Sequence, residues 1–302
     1  MEEILSYFPE TISKKIKENW LENMEEIRIR VNRPIILKNS KTETMLPAIV
    51  LPQTILQILQ KICDNSIYSY QNQICQGFIT LKGGHRVGVT GNAVMKEGQV
   101  INLNYINSLN FRIARQVFNC SNEALVHVLD IPNHSIFNTL LVSPPGRGKT
   151  TILRDAIRKI SSGISEISFQ GLACGVVDER GEISATYQGI AQNDIGTRTD
   201  IIDNIPKAIG MKMLIRSMSP KVIAADEIGS KEDIEAIEYA VCSGVKGIFT
   251  AHGSNMKDIK KNPILGQLLE KQLIEKILFI EENRKISLAY DSQKQLFQKE
   301  AS

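Results

Sequence analysis

Leu140-Leu141-Val142-Ser143-Pro144-Pro145-Gly146-Arg147-Gly148-Lys149-Thr150-Thr151 is the stretch whose reading decides the fold. Its apolar start has strand character, the Ser, Pro and Gly that follow make a loop, and residues 151–160 place apolar side chains at helical spacing. Strand, loop and helix in that order are the context that a phosphate-binding P-loop needs. Loop and helix N–H groups from Pro145-Gly146-Arg147-Gly148-Lys149-Thr150-Thr151 would face the phosphates, and the helix dipole favours their charge. Lys149 would reach the β- and γ-phosphates, and the Thr150 hydroxyl would face Mg²⁺. The pattern G-x-x-x-x-G-K-[ST] is met except at its first position, where Ser143 stands for glycine and reaches positive φ less freely.

A second stretch supplies the carboxylates. Lys221-Val222-Ile223-Ala224-Ala225-Asp226-Glu227 reads as a buried parallel strand ending in two acids. Parallel α/β sheets hold ligands beyond the carboxyl ends of their strands, so Asp226 is expected beside the Mg²⁺ and Glu227 is free to polarise an attacking water. Val176-Val177-Asp178-Glu179-Arg180-Gly181-Glu182 repeats the arrangement, which puts Asp178 and Glu179 on the same edge, one to hold metal through water and another to orient the nucleophilic water, or else is a solvated loop with internal salt bridges. Phe249-Thr250-Ala251-His252-Gly253 ends a further strand; His252 is either a sensor of the γ-phosphate or a structural histidine. Arg198, Arg216 and Lys221 flank these acids and could pair with them or with phosphate. Together these residues point to a Mg²⁺-dependent NTPase.

Composition bounds the rest. The 302 residues suffice for two domains, and 42% apolar with 23% charged residues describes an ordinary globular chain. The net charge of +3 is spread evenly, with no basic stripe, so no nucleic-acid partner is expected. Five scattered cysteines, never spaced as C-x-x-C, suit reduced thiols and no zinc site. No secretory signal and no membrane-length apolar run is read, so any membrane role is expected to be peripheral. No nucleophile-elbow pattern supports acyl transfer.

Along the chain, the first part reads as a small α+β domain. Residues 1–25 read as a helix, with Ile12, Ile16 and Trp20 on its apolar face, that leads into the alternating strand Glu26-Ile27-Arg28-Ile29-Arg30-Val31, with residues 34–38 as its hairpin partner. Residues 52–64 form an amphipathic helix with Pro52 in its first turn. Strands follow at 77–81, 85–91 and about 100–103, and Leu109-Asn110-Phe111-Arg112-Ile113-Ala114-Arg115 is another alternating run. Ile131-Pro132-Asn133-His134 looks like the joint, so domains 1–133 and 134–302 are expected. Beyond it, strands at 139–142, 174–177, 222–225 and 247–250 alternate with helices, as in an α/β fold with a parallel sheet. Ser230 caps a helix that Gly244 closes, a helix spans about 264–276, and a terminal hairpin turns around Asn283.

These residues resemble the RecA-like, secretion-type hexameric ATPases of type II and type IV secretion and pilus assembly, and within them the stage III sporulation protein AA family of endospore-forming bacteria. The resemblance runs from about residue 77 to 253, through Gly84-His85-Arg86-Val87-Gly88, Asn110-Phe111-Arg112-Ile113-Ala114-Arg115, the P-loop, Val177-Asp178-Glu179-Arg180-Gly181-Glu182-Ile183, Arg198-Thr199-Asp200, Ile215-Arg216-Ser217-Met218-Ser219-Pro220, Ala225-Asp226-Glu227-Ile228-Gly229 and Thr250-Ala251-His252-Gly253. A Ser-Pro-Pro start to the loop is itself usual in that family. The resemblance implies an acidic box at Asp178-Glu179, a histidine box at His252, and arginines from the N-terminal domain, Arg86, Arg112 and Arg115, serving the γ-phosphate as an arginine finger does. It leaves open which of Glu179 and Glu227 activates water. It also implies a homo-hexameric ring, cytoplasmic and peripheral to a membrane, docked on the mother-cell side of a channel into the forespore. A motor that hydrolyses ATP is the first reading; a nucleotide-gated ring scaffold with little turnover is the alternative.

Overall fold

The computed structural model describes residues 1–281, 285–292 and 296–297, the last pair by backbone alone. Its contacts divide the chain into two compact units, Met1–Arg115 with Tyr187–Gln192, and Gln116–Thr186 with Asn193–Ser302.

In the first unit α1 (Glu2–Leu5) and α2 (Glu10–Glu18) replace the single helix expected, because Pro9 cannot continue one and serves as the N-cap of α2. Trp20 lies past the end of α2, half-buried against the core. Strands β1 (Glu26–Arg30), β2 (Pro34–Lys38) and β3 (Glu43–Ile49) form an antiparallel meander. Ile27 and Ile29 point inward while Glu26 and Arg28 pair outside at 2.7 Å, which is the alternation read from sequence. Helix α3 (Pro52–Ile62) buries Ile55, Ile58, Leu59 and Ile62 at i, i+3, i+4 and i+7. After α4 (Gln71–Cys75) come β4 (Phe78–Thr80), β5 (Arg86–Lys96) and β6 (Gln99–Arg112), giving the order β3-β2-β1-β6-β5-β4. The expected short strand near 100–103 and the alternating run ending in arginines are thus largely one strand, with Arg112 its last residue and Arg115 beyond it. Phe111 of β6 anchors the core against Phe8, ring centroids 4.7 Å apart.

The second unit begins with α5 (Asn122–Val128) and a ribbon of β7 (Leu129–Asp130) and β8 (Ser135–Ile136). Residues 116–133, expected in the first domain, therefore fall in this unit, and Ile131-Pro132-Asn133-His134 is the turn of the ribbon. Strand β9 (Thr139–Ser143) leads through the P-loop into α6 (Lys149–Ser162). A second ribbon, β10 (Gly163–Ile164) with β11 (Phe169–Gln170), precedes β12 (Cys174–Asp178). Then come β13 (Thr199–Asp203), α7 (Lys207–Met218), β14 (Val222–Ala225), α8 (Lys231–Cys242) and β15 (Lys246–His252). Helices α9 (Met256–Lys261) and α10 (Leu265–Glu270) precede β16 (Lys276–Ile280), β17 (Ile286–Asp291) and β18 (Leu296–Phe297). The helix expected to reach 276 stops at Glu270. Strand β16 enters the sheet parallel to β9, and the chain returns antiparallel in β17; the turn residue Asn283 lies outside the described residues.

The sheet runs β13-β12-β14-β15-β9-β16-β17-β18, parallel from β13 through β16. Every residue of β9, β12 and β14 is buried, as continuous apolar runs covered on both faces should be. Ser230 and Asp233 close a reciprocal capping box on α8. This is a RecA-like α/β fold, whose strand ends from β9, β12, β14 and β15 deliver the loop, Asp178, Asp226 and His252 to one edge. No described helix is long and apolar enough to cross a membrane.

Candidate phosphate and metal site

The cradle is set by two glycines in left-handed backbone, Gly146 at φ 77° and Gly148 at φ 90°, the latter capping α6. A Cβ at either would meet open space, so it is the dihedral and not crowding that demands glycine. Ser143 ends β9 and is fully buried, so it acts as a strand residue there and its Cβ causes no conflict. The N–H groups at the start of α6 have no intrahelical acceptor and aim out of its N-terminus.

Lys149 is 5% exposed and folds back over the loop. Its Nζ donates to the carbonyls of Ser143 at 3.0 Å and Pro144 at 3.1 Å, and meets His252 Nδ1 at 3.2 Å. Burial pulls its pKa down, opposed by the charges of Asp226 and Glu227. The Thr150 hydroxyl donates to Asp226 Oδ2 at 2.5 Å, and Thr250 donates to the other oxygen. Parallel register explains the second contact: Ala225 lies opposite Phe249, so the next residues, Asp226 and Thr250, emerge together. Burial pushes the Asp226 carboxyl up, partly offset by the two hydroxyls.

Glu227 adopts φ 55°, a left-handed conformation uncommon for a non-glycine residue, and its N–H is held by the Thr250 hydroxyl at 2.8 Å. Its carboxylate binds Arg180 through Oε2 and His252 Nε2 through Oε1 at 3.0 Å. An ammonium only donates, so Nδ1 of His252 accepts from Lys149 and Nε2–H donates to Glu227. Lys149, His252 and Glu227 thus form one hydrogen-bonded chain. Glu179 instead pairs with Lys207, the first residue of α7.

Asp178, expected at the metal, is bonded to its own turn. It is 2% exposed, and its oxygens accept from the N–H groups of Glu182 (2.7 Å), Ile183 (3.1 Å) and Ser184 (2.7 Å) and from the Ser184 hydroxyl (2.6 Å). Those bonds saturate the carboxylate and pin residues 179–184. Arg154 of α6 braces the same turn, Nε donating to the Ile183 carbonyl at 2.8 Å. A cleft is left between Asp178, Glu179, Glu182, Lys207, Asp226 and Glu227.

Other flanking cations sit elsewhere. Arg198 Nη1 donates to the carbonyls of Ser161 (3.0 Å) and Ser162 (3.4 Å), and Arg216 lies over the Tyr239 ring at 5.7 Å. Arg86, Arg112 and Arg115 belong to the first unit. Arg86 and Arg112 are cross-strand partners, Arg86 covers the Phe78 ring at 4.8 Å, and Arg115 donates to the Met24 carbonyl at 3.0 Å. Thr250, Lys207 and Arg180 reach this site without having been singled out from sequence. Thr250 could have been found from its place two residues before His252 at a strand end, but Lys207 follows β13, a strand left unread.

The donor set fits a hard divalent cation. Thr150 and Asp226 bring oxygens together beside a cradle with room for phosphate, while no described cluster of three or more His, Cys, Asp or Glu side chains would hold a metal by protein alone. Mg²⁺ matches that pattern, because it is held by one or two protein oxygens plus phosphate.

The chain matches the model of the family "Sporulation stage III, protein AA" over residues 1–294. The Stage III sporulation protein AA of Bacillus subtilis (strain 168) is 38% identical over 282 residues, covering 92% of this chain and 90% of that protein. Two solved structures share the fold at low identity. The Legionella pneumophila ATPase DotB has a TM-score of 0.57 at 15% identity, over 93% of this chain and 80% of that one. The pilus retraction motor PilT with bound ADP has 0.56 at 14%, over 93% and 81%. The chain belongs to the sporulation stage III, protein AA family.

Proposed function

We propose that this protein is a Mg²⁺-dependent ATPase of the secretion type. The observation that carries the reading is the 2.5 Å bond between Thr150, in the first turn of α6, and Asp226, at the end of β14. It brings a phosphate cradle and an acidic strand end to one point. Thr150 and Asp226 would hold Mg²⁺, which when bound neutralises phosphate charge. Gly146 and Gly148 shape the cradle, with Pro145, Arg147 and Thr151 completing it, and Lys149 turns from the loop carbonyls toward the phosphates. Asp178 keeps a positioning role and is left out of the metal set.

Of the two candidate bases we favour Glu227. Its backbone sits in a disfavoured region at the edge of the site, and it alone is linked through His252 to the phosphate lysine. Arg180 is 66% exposed, so its hold on Glu227 is weak and easily exchanged for water or substrate. Glu179 then orients the site from the paired loop. For Arg86, Arg112 and Arg115 we propose the role the resemblance implies, charge for the γ-phosphate, tested by alanine substitution with turnover and ATP affinity measured separately. The wider reading is a homo-hexameric motor docked at the cytoplasmic face of a membrane channel during sporulation. It is supported by family membership and by the fold of DotB and PilT, the second of which is itself named a retraction motor.

The test is Mg-ATP turnover per protomer as protein concentration rises, with Lys149→Ala as control. A rate that climbs, saturates and vanishes in the control supports a motor completed by assembly. A flat rate at the control's level, despite ATP binding, overturns the hydrolase reading in favour of a nucleotide-gated scaffold.

A further inference from the structure

No role above falls to residues 116–121, yet they are tied to the helix that starts the cradle. Thr151, Asp155 and Arg158 recur at i, i+4 and i+7 and share one face of α6. The segment docks along that face at three points. Cys120 Sγ donates to the Thr151 carbonyl at 3.5 Å. Ser121 donates to Asp155 Oδ2 through its N–H at 2.9 Å and its hydroxyl at 2.7 Å. The Arg158 guanidinium lies 5.0 Å from the centroid of the Phe118 ring and is itself held by Asp155 Oδ1 at 2.7 Å and 3.1 Å. At the other end, Gln116 exchanges two hydrogen bonds with the backbone of Asp194, at 2.6 Å and 2.9 Å. The segment is clamped on both sides of Phe118, yet that ring remains 52% exposed.

We propose that Phe118 is the stacking platform for the base of the nucleotide whose phosphates occupy the cradle; this rests on the ATPase reading. A fixed aromatic ring with one face on a guanidinium and half its surface open is what a flat heteroaromatic ligand needs. The position also fits. Arg158 lies seven residues beyond Thr151, about 10 Å along the axis at 1.5 Å per residue, and its side chain leans back toward the N-terminus. The guanidinium is drawn back to Asp155, so the ring it carries is set toward the end of α6 that starts the cradle. Stacking tolerates any base, so the platform supplies affinity for nucleotides over bare phosphate without choosing adenine over guanine.

The test is calorimetric binding of ATP, GTP and inorganic tripolyphosphate, each with Mg²⁺, to the full chain. Phe118→Ala and Phe118→Leu, the latter keeping apolar bulk without a ring, should weaken ATP and GTP by roughly 5- to 150-fold, the stacking range, and leave tripolyphosphate unchanged. Phe118→Trp should retain affinity, with indole fluorescence quenched by ATP and not by tripolyphosphate once the Trp20 signal of the parent is subtracted. Unchanged ATP affinity in the alanine and leucine variants, as a docking ring for a protein partner would give, overturns the proposal. So does a parallel loss for tripolyphosphate. A parent chain that binds neither ATP nor tripolyphosphate overturns the cradle itself, a distinct outcome.

Discussion

Substituting Asp178 separates a metal ligand from a loop anchor. In Asp178→Ala, three backbone N–H groups and one hydroxyl, from Glu182, Ile183 and Ser184, lose their acceptor. Ile183 and Ser184 are fully buried, so water cannot replace the carboxylate there; Glu182 is part-exposed and can be rehydrated. Hydrogen bonds to a charged group are worth about 1.5–3 kcal/mol each, but four donors on one carboxylate are not additive. Counting the buried Ile183 and Ser184 donors, the expected loss is about 3–5 kcal/mol of local stability. That corresponds to a rise of roughly 150- to 5,000-fold in the opening of this turn. Hydrogen–deuterium exchange of peptides spanning 179–186 reads this directly, and it avoids assuming that a chain of two units unfolds in one step. Protection should collapse there and persist in β9 and β14. Mg²⁺ affinity in the presence of a nucleotide should fall far less than in Asp226→Ala. Unaltered exchange at 179–186 together with a loss of Mg²⁺ affinity equal to that of Asp226→Ala would refute the argument and return Asp178 to the metal.

Glu227→Gln should retain ATP binding and lose turnover by about 10²- to 10⁴-fold, the range for a general base, whereas Glu179→Gln should lose less; equal, unchanged rates in both would remove the catalytic assignment. Asp226 has a folded pKa raised by burial, so the native state holds its proton longer than the unfolded chain. Stability contributed by this group is therefore full below the ordinary aspartate value and is lost as pH rises through the raised one. Asp226→Asn should flatten that slope and raise the neutral-pH melting temperature of the nucleotide-free protein while abolishing Mg²⁺-dependent turnover; a variant less stable at neutral pH would contradict it. Lys276 and Asp291 form a buried ion pair at 2.5 Å, the ammonium also lying 4.4 Å from the Phe137 centroid. Lys276→Met alone should cost about 3–5 kcal/mol by taking the ammonium from a buried carboxylate, and the added Asp291→Leu should recover most of it in a thermal melt.

Much of the site was written in local sequence. The β9–loop–α6 passage and the end of β14 were readable because apolar runs, a Gly-x-Gly-Lys-Thr spacing and a strand-terminal Asp-Glu pair each act within a few residues. The capping box at Ser230 and the packed face of α3 were legible for the same reason. Strand β13 was not. Thr199-Asp200-Ile201-Ile202-Asp203 is an edge strand, evenly half-exposed, so it carries neither alternation nor a buried run. Helix α7 spreads its apolar residues around its circumference, with Ile209 and Met213 exposed, so its period was hidden, and Lys207 was hidden with it. Residues 116–133 group by contact with the second unit, because the bonds of Cys120 and Ser121 to α6 leave no local trace while Ile131-Pro132 reads locally as a boundary. What sequence determined by itself was the chemistry on hand: a cradle, a lysine, a hydroxyl and four carboxylates at strand ends. Only the tertiary structure decided which of them meet. Parallel register set Thr250 beside Asp226, strand order brought His252 between Lys149 and Glu227, and the turn at 180–184 claimed Asp178 for its own hydrogen bonds. Those pairings depend on sheet order and on buried polar groups finding partners, neither of which has a period along the chain.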